Sequence, residues 1–133
     1  MDISNRLTDL KVRGLIDDNT VTIVLQIKQR LANYWQADAT TPQVTMMLFH
    51  YACALGRVQR DCTVVPLYQE FLDEIKSSDN FHCISMINSD LMKLIPFVIP
   101  QDEQTYFLAN ICSLLIEQPW VSDNVRLSFR LIA

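Results

Sequence analysis

The sequence has 133 residues, half of them apolar, and a formal net charge of −4, which fits one soluble domain with a single hydrophobic core. No two Lys or Arg residues are adjacent, so the basic surface typical of DNA- and RNA-binding proteins is missing and we expect no direct nucleic-acid contact. The N-terminus lacks the features of a secretory signal, and the uncharged stretch at residues 39–56 is too polar to cross a bilayer, so we expect a cytoplasmic protein without membrane contact.

The first third of the chain predicts two helices. The first covers residues 4–13 and ends at Gly14, which is placed to adopt the left-handed conformation that closes many helices. Asp17 or Asp18 then caps the second. Apolar side chains repeat along this second helix at helical spacing, at Val24, Ile27, Leu31, Tyr34 and Trp35.

The middle of the chain predicts two more helices. Thr41 followed by Pro42 is typical of a helix start, because the hydroxyl satisfies a free backbone N–H and proline has none to leave unpaired. The third helix runs from there to about residue 60. A fourth begins near Pro66 and ends by residues 77–78, and its predicted inward-facing side chains are Leu67, Phe71 and Ile75.

The last third predicts a fifth helix over residues 81–95 and a sixth after Pro100. Asp102 and Glu103 lie in the first turn of the sixth helix, where negative charge favours the helix dipole. After Pro119 the apolar residues fit a strand and a helix almost equally well, so this tail stays unassigned. The expected fold is all-α: a compact bundle of five to six helices, forming one domain over residues 1–133 with a tail at 119–133.

One histidine stands out as a candidate for chemistry. His50 lies in the middle of the third helix, and Arg57, seven positions later, returns to nearly the same face two turns on. An imidazole nitrogen can accept a phosphoryl group while a guanidinium pairs with phosphate oxygens. Spacing alone favours the other interpretation, a partly buried structural histidine bonded to a neighbour, beside an arginine that reaches solvent.

The segment LFHYACALGR, residues 48–57, resembles the helix of the PTS regulation domain (PRD) family that carries an accepting histidine followed by an arginine. IPQDEQTYFLANICSLL, residues 99–115, is similar to the family's closing helix, and RLTDLKVRGLIDDNTVTIVLQIKQRL, residues 6–31, resembles its first two helices. The resemblance covers about residues 3–117. It implies a helical bundle that dimerises and that responds to phosphorylation of histidines by the phosphocarrier protein HPr or an enzyme IIB.

Two features depart from the family pattern. Asn110 occupies the position of the family's second histidine, and it cannot carry phosphate in this chemistry, which leaves His50 as the one family-matched acceptor. The usual DNA- or RNA-binding module does not accompany the domain, so we expect a stand-alone module that acts through a partner. The family pattern has no counterpart of His82, which we interpret as structural or exposed.

The remaining signals are weak. The four cysteines, Cys53, Cys62, Cys83 and Cys112, form no CxxC pair and are expected to be reduced. His50 with Cys53 offers half a metal site, which is too few ligands for zinc. We therefore expect no metal, no cofactor and no enzymatic turnover.

Three functional hypotheses follow from these observations. The first is a homodimeric interaction module of bacterial carbohydrate regulation, phosphorylated on His50 and supported by Arg57. The second is an unphosphorylated scaffold or dimerisation partner of a full-length PRD regulator, which the Asn110 substitution favours. The third is a thiol or metal sensor that uses His50 and Cys53.

Overall fold

The computed structural model describes residues 2–132, and side-chain surroundings are described for residues 2–128. Within that range the chain forms seven α-helices and no strand, which confirms the all-helical prediction and adds one helix to its upper count. The helices are α1 (Ile3–Val12), α2 (Asp18–Asn33), α3 (Pro42–Gln59), α4 (Gln69–Lys76), α5 (Phe81–Met92), α6 (Gln101–Glu117) and α7 (Pro119–Ile132).

Local signals in the sequence set the starts of α2 and α3 and the end of α1. Gly14 follows α1 with a φ of +76°, as the sequence predicts. Of the two candidate caps of α2, Asp17 is the one used: its carboxylate accepts the N–H of Thr20 at 2.9 Å. The Thr41 hydroxyl likewise accepts the N–H of Val44 at 3.2 Å, with Pro42 in the first turn of α3.

Two helices form the centre of the bundle. α3 packs against α1, α2 and α6, while α6 packs against α3, α4, α5 and α7. Their facing sides supply fully buried side chains such as Met47, Leu55, Phe107 and Ile111. Because both central helices are held on several sides, polar residues where α3 meets α6 are fixed in position by the core.

A close backbone approach also fixes α3. Gly56 is buried in the helix, and a Cβ atom at this position would lie 2.3 Å from the carbonyl oxygen of Leu15, in the loop between α1 and α2. Glycine is required there because no side-chain atom fits between the helix and the loop.

The sequence placed two helix boundaries incorrectly and one side chain on the wrong face. α4 begins at Gln69 rather than near Pro66, because residues 62–68 cross α6 in an extended connection. α5 ends at Met92 rather than at residue 95. Phe71, predicted to be inside, is 58% exposed, and the buried residues of α4 are Leu72 and Ile75.

The tail that the sequence left between strand and helix is helical. α7 buries Val121 and Val125, which lie four residues apart on one face. The buried Gln118 joins this helix to the loop between α2 and α3: its amide accepts the N–H of Asp38 at 2.7 Å and donates to the Asp38 carbonyl at 2.9 Å. This pair of bonds holds the residue that precedes α7 against the bundle.

Candidate functional site

His50 and Asn110 face each other where α3 meets α6. His50 is exposed, and its Nδ1 lies 3.3 Å from Oδ1 of Asn110. The predicted acceptor therefore contacts Asn110 directly.

The orientation of Asn110 determines which nitrogen of His50 carries the proton. The Nδ2 group of Asn110 donates to the carbonyl oxygen of Tyr106 at 2.8 Å, an atom that can only accept. The Oδ1 atom must then face His50, and it can only accept, so Nδ1 of the imidazole is the donor. In the neutral ring this leaves Nε2 with the free lone pair, which makes Nε2 the nucleophilic atom.

Arg57 forms a two-pronged ion pair with Glu103 across the same helix contact. Nε and Nη2 of Arg57 each donate to a different carboxylate oxygen of Glu103, both at 3.0 Å. The Glu103 side chain is 2% exposed and that of Arg57 34%. Bonding to Glu103 raises the pKa of the guanidinium, which therefore stays charged.

Asp102 and Glu103 were both predicted to be first-turn charges that favour the helix dipole, but their surroundings in the structure differ. Asp102 is exposed at the start of α6, whereas Glu103 is buried and neutralises Arg57. Adjacent helix residues point about 100° apart, so one can face solvent while the other faces α3. The interpretation as two first-turn charges is incomplete for Glu103, whose main partner is a side chain on another helix.

The family-matched residues line one cavity. Its volume is about 550 Å³, and it lies between α3, α6 and the connection that follows α3. Polar and apolar groups both contribute to its wall, which includes His50, Cys53, Arg57, Val64, Glu103, Tyr106, Phe107, Asn110 and Ser113. The structure thus brings together the predicted acceptor, the predicted supporting arginine and Asn110.

The connection between α3 and α4 forms one side of this cavity and is attached to α6. The Tyr106 hydroxyl donates to the Val65 carbonyl at 2.6 Å, and the N–H of Leu67 donates to the Thr105 hydroxyl at 2.9 Å. Val64, the preceding residue, lines the cavity. These two bonds hold the extended segment beside His50.

The other candidate groups lie apart or are unsuited to a metal. Cys53 is half-buried in the cavity wall, where burial raises the pKa of its thiol and Arg57 and Arg60 partly oppose that shift. Among residues 2–132 no group of three His, Cys, Asp or Glu side chains is arranged to hold a metal ion. His82 is exposed in the first turn of α5 and lines a different cavity, beside Trp35 and Asp90.

The family model described as the PRD domain matches residues 22–113, which cover α3, the connection to α4 and α6 up to residue 113. This chain belongs to the PRD domain family. The PRD resemblance inferred from residues 48–57 and 99–115 is therefore confirmed.

Two relatives extend the match over most of the chain. An uncharacterized protein of Haemophilus influenzae is 48% identical over 118 residues, covering 89% of this chain and 94% of the relative. The uncharacterized protein YhfY of Escherichia coli is 27% identical over 122 residues, covering 92% of this chain and 98% of YhfY. No solved structure matches the chain significantly. None of the helices within residues 2–132 has the length and apolar character that a bilayer span requires.

Sequence reasoning missed the ion pair and the attached connection. Arg57 and Glu103 are 46 positions apart, and only the packing of α3 on α6 makes them neighbours. The sequence did contain a signal for the ion pair, because Glu103 lies among the buried residues of its helix and a buried carboxylate requires a partner. The bond from Tyr106 to Val65 had no such signal, because a backbone carbonyl is an acceptor in any sequence.

Proposed function

We propose that this PRD protein is a phosphorylation-responsive interaction module of bacterial carbohydrate regulation and that His50 accepts the phosphoryl group on Nε2. The observation that carries the proposal is the chain of bonds from the Tyr106 carbonyl through Asn110 to Nδ1 of His50. It orients the ring and keeps the proton on Nδ1, so that an exposed side chain presents its lone pair to a donor.

In the transfer step, the Nε2 lone pair of His50 attacks the phosphorus atom carried by the donor protein. The N–P bond forms as the bond between phosphorus and the donor side chain breaks, and the electron pair of that bond leaves with the donor. The Nδ1 proton stays in place, and the Asn110 oxygen stabilises the positive charge that the ring acquires. No cofactor takes part, and the protein is the recipient of the group rather than an enzyme with turnover.

Arg57 is the proposed support of the phosphorylated form. Its pair with Glu103 uses two of the five guanidinium N–H groups, which leaves three for phosphate oxygens. A phosphoryl group adds roughly −1.5 to −2 charges, so it competes with Glu103 for the same cation. The charge change at the contact between α3 and α6 is the signal that a partner reads.

The partners follow from family membership. We propose phosphorylation by the phosphocarrier protein HPr or an enzyme IIB in the cytoplasm, association as a homodimer, and regulation of a full-length PRD protein. The net charge of −4 supports action through protein partners rather than through nucleic acid. Light scattering at tens of micromolar tests the dimer, and a monomer mass contradicts it.

One observation favours an unphosphorylated scaffold as the second candidate. Arg57 is already neutralised by a buried carboxylate, so the cation that would hold a phosphate is occupied. In this alternative the cavity and the contact between α3 and α6 form a fixed surface that binds a PRD partner. The hydrogen bond between His50 and Asn110 then serves only to join α3 to α6.

Phosphorylation assays separate the two candidates. The protein is incubated with phosphoenolpyruvate, enzyme I and HPr, with and without a cognate enzyme IIB, and its mass is measured. The proposal predicts an acid-labile, base-stable adduct that His50→Ala removes and the control His82→Ala keeps. Phosphorus and nitrogen NMR should place the phosphoryl group on Nε2. An adduct lost in His82→Ala contradicts the assignment, and the absence of any adduct favours the scaffold.

A further inference from the structure

Three apolar side chains in the connection after α3 and in α4 face solvent. Val65 is 78% exposed, Tyr68 62% and Phe71 58%, and the Tyr68 and Phe71 rings form an edge contact with centroids 5.9 Å apart. We call these three residues the aromatic patch. Single exposed apolar residues are common on protein surfaces, but a cluster with two aromatic rings is typical of interaction sites.

The surface around the aromatic patch concentrates the negative charge of the protein. Residues 61–79 contain five acidic side chains and one basic side chain, a net charge of −4 that equals the net charge of the whole chain. All six are exposed, and three of the acids, Glu70, Asp73 and Glu74, lie on α4 with Phe71. A partner of this surface therefore needs an apolar centre with Lys or Arg around it.

The aromatic patch is continuous with the wall of the cavity. Val64 lines the cavity, and the next residue, Val65, is held through its carbonyl by Tyr106, another cavity residue. Thr105 binds the backbone of Leu67 one residue before Tyr68. The connection that leads into the patch is thus bonded to α6 and contributes to the wall of the cavity that His50 also lines.

We propose that the aromatic patch and its acidic rim bind the protein that donates the phosphoryl group to His50, through a donor surface with an apolar centre and basic rim. A donor protein must bring its phosphorus atom to bonding distance of Nε2, and protein contacts of ordinary size cover about 800 Å² on each partner. A contact of that extent around His50 includes the neighbouring segment at residues 64–71. This inference depends on the proposed phosphorylation of His50.

The test compares a protein donor with a small-molecule donor. Phosphorylated HPr, at a concentration well below saturation, and phosphoramidate are each used to phosphorylate wild type and the double variant Tyr68→Ser/Phe71→Ser. We expect the variant to react at least tenfold more slowly with HPr and at the wild-type rate with phosphoramidate. Val12→Ser and Val98→Ser, at residues 80% and 87% exposed on other parts of the surface, are matched controls that keep both rates.

Charge reversal gives a second, independent variant. Glu70→Lys/Glu74→Lys leaves the aromatic patch intact and should slow transfer from HPr several-fold at low salt, with the difference from wild type shrinking in 0.5 M salt as the charges are screened. Circular dichroism and thermal unfolding verify that each variant is folded.

Four outcomes overturn the docking inference. The first two are equal rates of transfer from HPr to the wild type and to both double variants, and equal slowing of the variants with HPr and with phosphoramidate. The other two are no transfer from HPr to a wild type that phosphoramidate does phosphorylate, and conversion of a dimer to a monomer by the patch substitutions, which would assign the patch to a second copy. If neither phosphoramidate nor phosphorylated HPr nor an enzyme IIB modifies His50 of the wild type, the proposed phosphorylation itself fails, and the docking inference fails with it.

Discussion

Glu103 binds two N–H groups of Arg57 from a position where its own side chain is 2% exposed, and this pair joins the two central helices in the wall of the cavity that His50 also lines. This is a bidentate arginine–carboxylate pair, the strongest form of hydrogen-bonded ion pair between these side chains. It has two consequences, since the pair both stabilises the contact between α3 and α6 and sets the charge that an incoming phosphoryl group would meet.

Removing only the arginine should destabilise the protein strongly. Arg57→Ala leaves the Glu103 carboxylate buried without a partner, and breaking a buried pair in this way costs about 3 kcal/mol. Because one third of the Arg57 side chain is exposed, we expect the lower part of the usual range. Urea unfolding monitored by circular dichroism measures the loss. The double variant Arg57→Met/Glu103→Leu should recover most of it, and a double variant as unstable as Arg57→Ala contradicts the assignment.

Gly56 and Gly14 should respond differently to the same substitution. Gly56→Ala places a methyl group against the Leu15 carbonyl, a backbone atom that moves only with its loop, and we expect a loss of about 2–3 kcal/mol. Gly14→Ala meets no atom within 4 Å, so its cost is the left-handed backbone alone, about 1 kcal/mol. Thermal unfolding of both variants tests the difference. Equal losses would mean that the contact between α3 and the loop is looser than described.

Much of this architecture could be predicted from the sequence because its signals are local. The cap at Thr41 and the glycine after α1 each depend on a few adjacent residues, and the structure contains both. Neither the local signals nor the family resemblance predicted that residues 48–57 and 99–115 contact each other, which the packing of α3 against α6 shows. The positions of His50 and Asn110 on facing helices follow from that contact.

The errors have a common physical origin in long-range contacts. Phe71 fits an inward-facing position by helical spacing, but α4 begins three residues later than Pro66 because Thr105 and Tyr106 hold the preceding backbone in an extended form. The tail was ambiguous for the same reason: the bonds between Gln118 and Asp38 that hold α7 join residues 80 positions apart. No local pattern contains that information.

The hydroxyl group of Tyr51 should not contribute favourably to the free energy of unfolding. Its side chain is 1% exposed, its ring packs on Phe107 with centroids 4.4 Å apart, and its hydroxyl has no hydrogen-bond partner among the described residues. Burial raises the pKa of this phenol far above its usual range. Tyr51→Phe should therefore leave the free energy of unfolding unchanged or raise it by up to about 1 kcal/mol.

Tyr106→Phe is the matched control for Tyr51→Phe, because it removes a hydroxyl that is bonded. We expect it to lose about 1 kcal/mol with the bond to the Val65 carbonyl, and to expose the connection to faster amide hydrogen exchange. A clear loss of stability in Tyr51→Phe would reveal a buried partner, such as an ordered water.

The thiols should differ in reactivity according to burial. Cys62 is exposed, whereas burial raises the pKa of the Cys53, Cys83 and Cys112 thiols. The thiolate is the reactive form, so at pH 8 a disulfide reagent should modify Cys62 quickly and the other three slowly. Cys62→Ser should remove the fast phase and leave the slow ones.

The same shifts predict how stability depends on pH. A thiol is neutral when protonated, and the thiols of the buried Cys83 and the half-buried Cys53 and Cys112 hold their protons to higher pH in the folded state than in the unfolded state. The contribution of these thiols to the free energy of unfolding is fully present below the pKa of a thiol in the unfolded chain, near 9. It is lost as the pH rises through and above that value, because the unfolded chain then releases protons that the folded chain retains. Urea unfolding in reducing buffer at pH 7, 8.5 and 10 should show this decline. Replacement of Cys53, Cys83 and Cys112 by Ala should reduce its slope, and an unchanged slope would assign the decline to other groups.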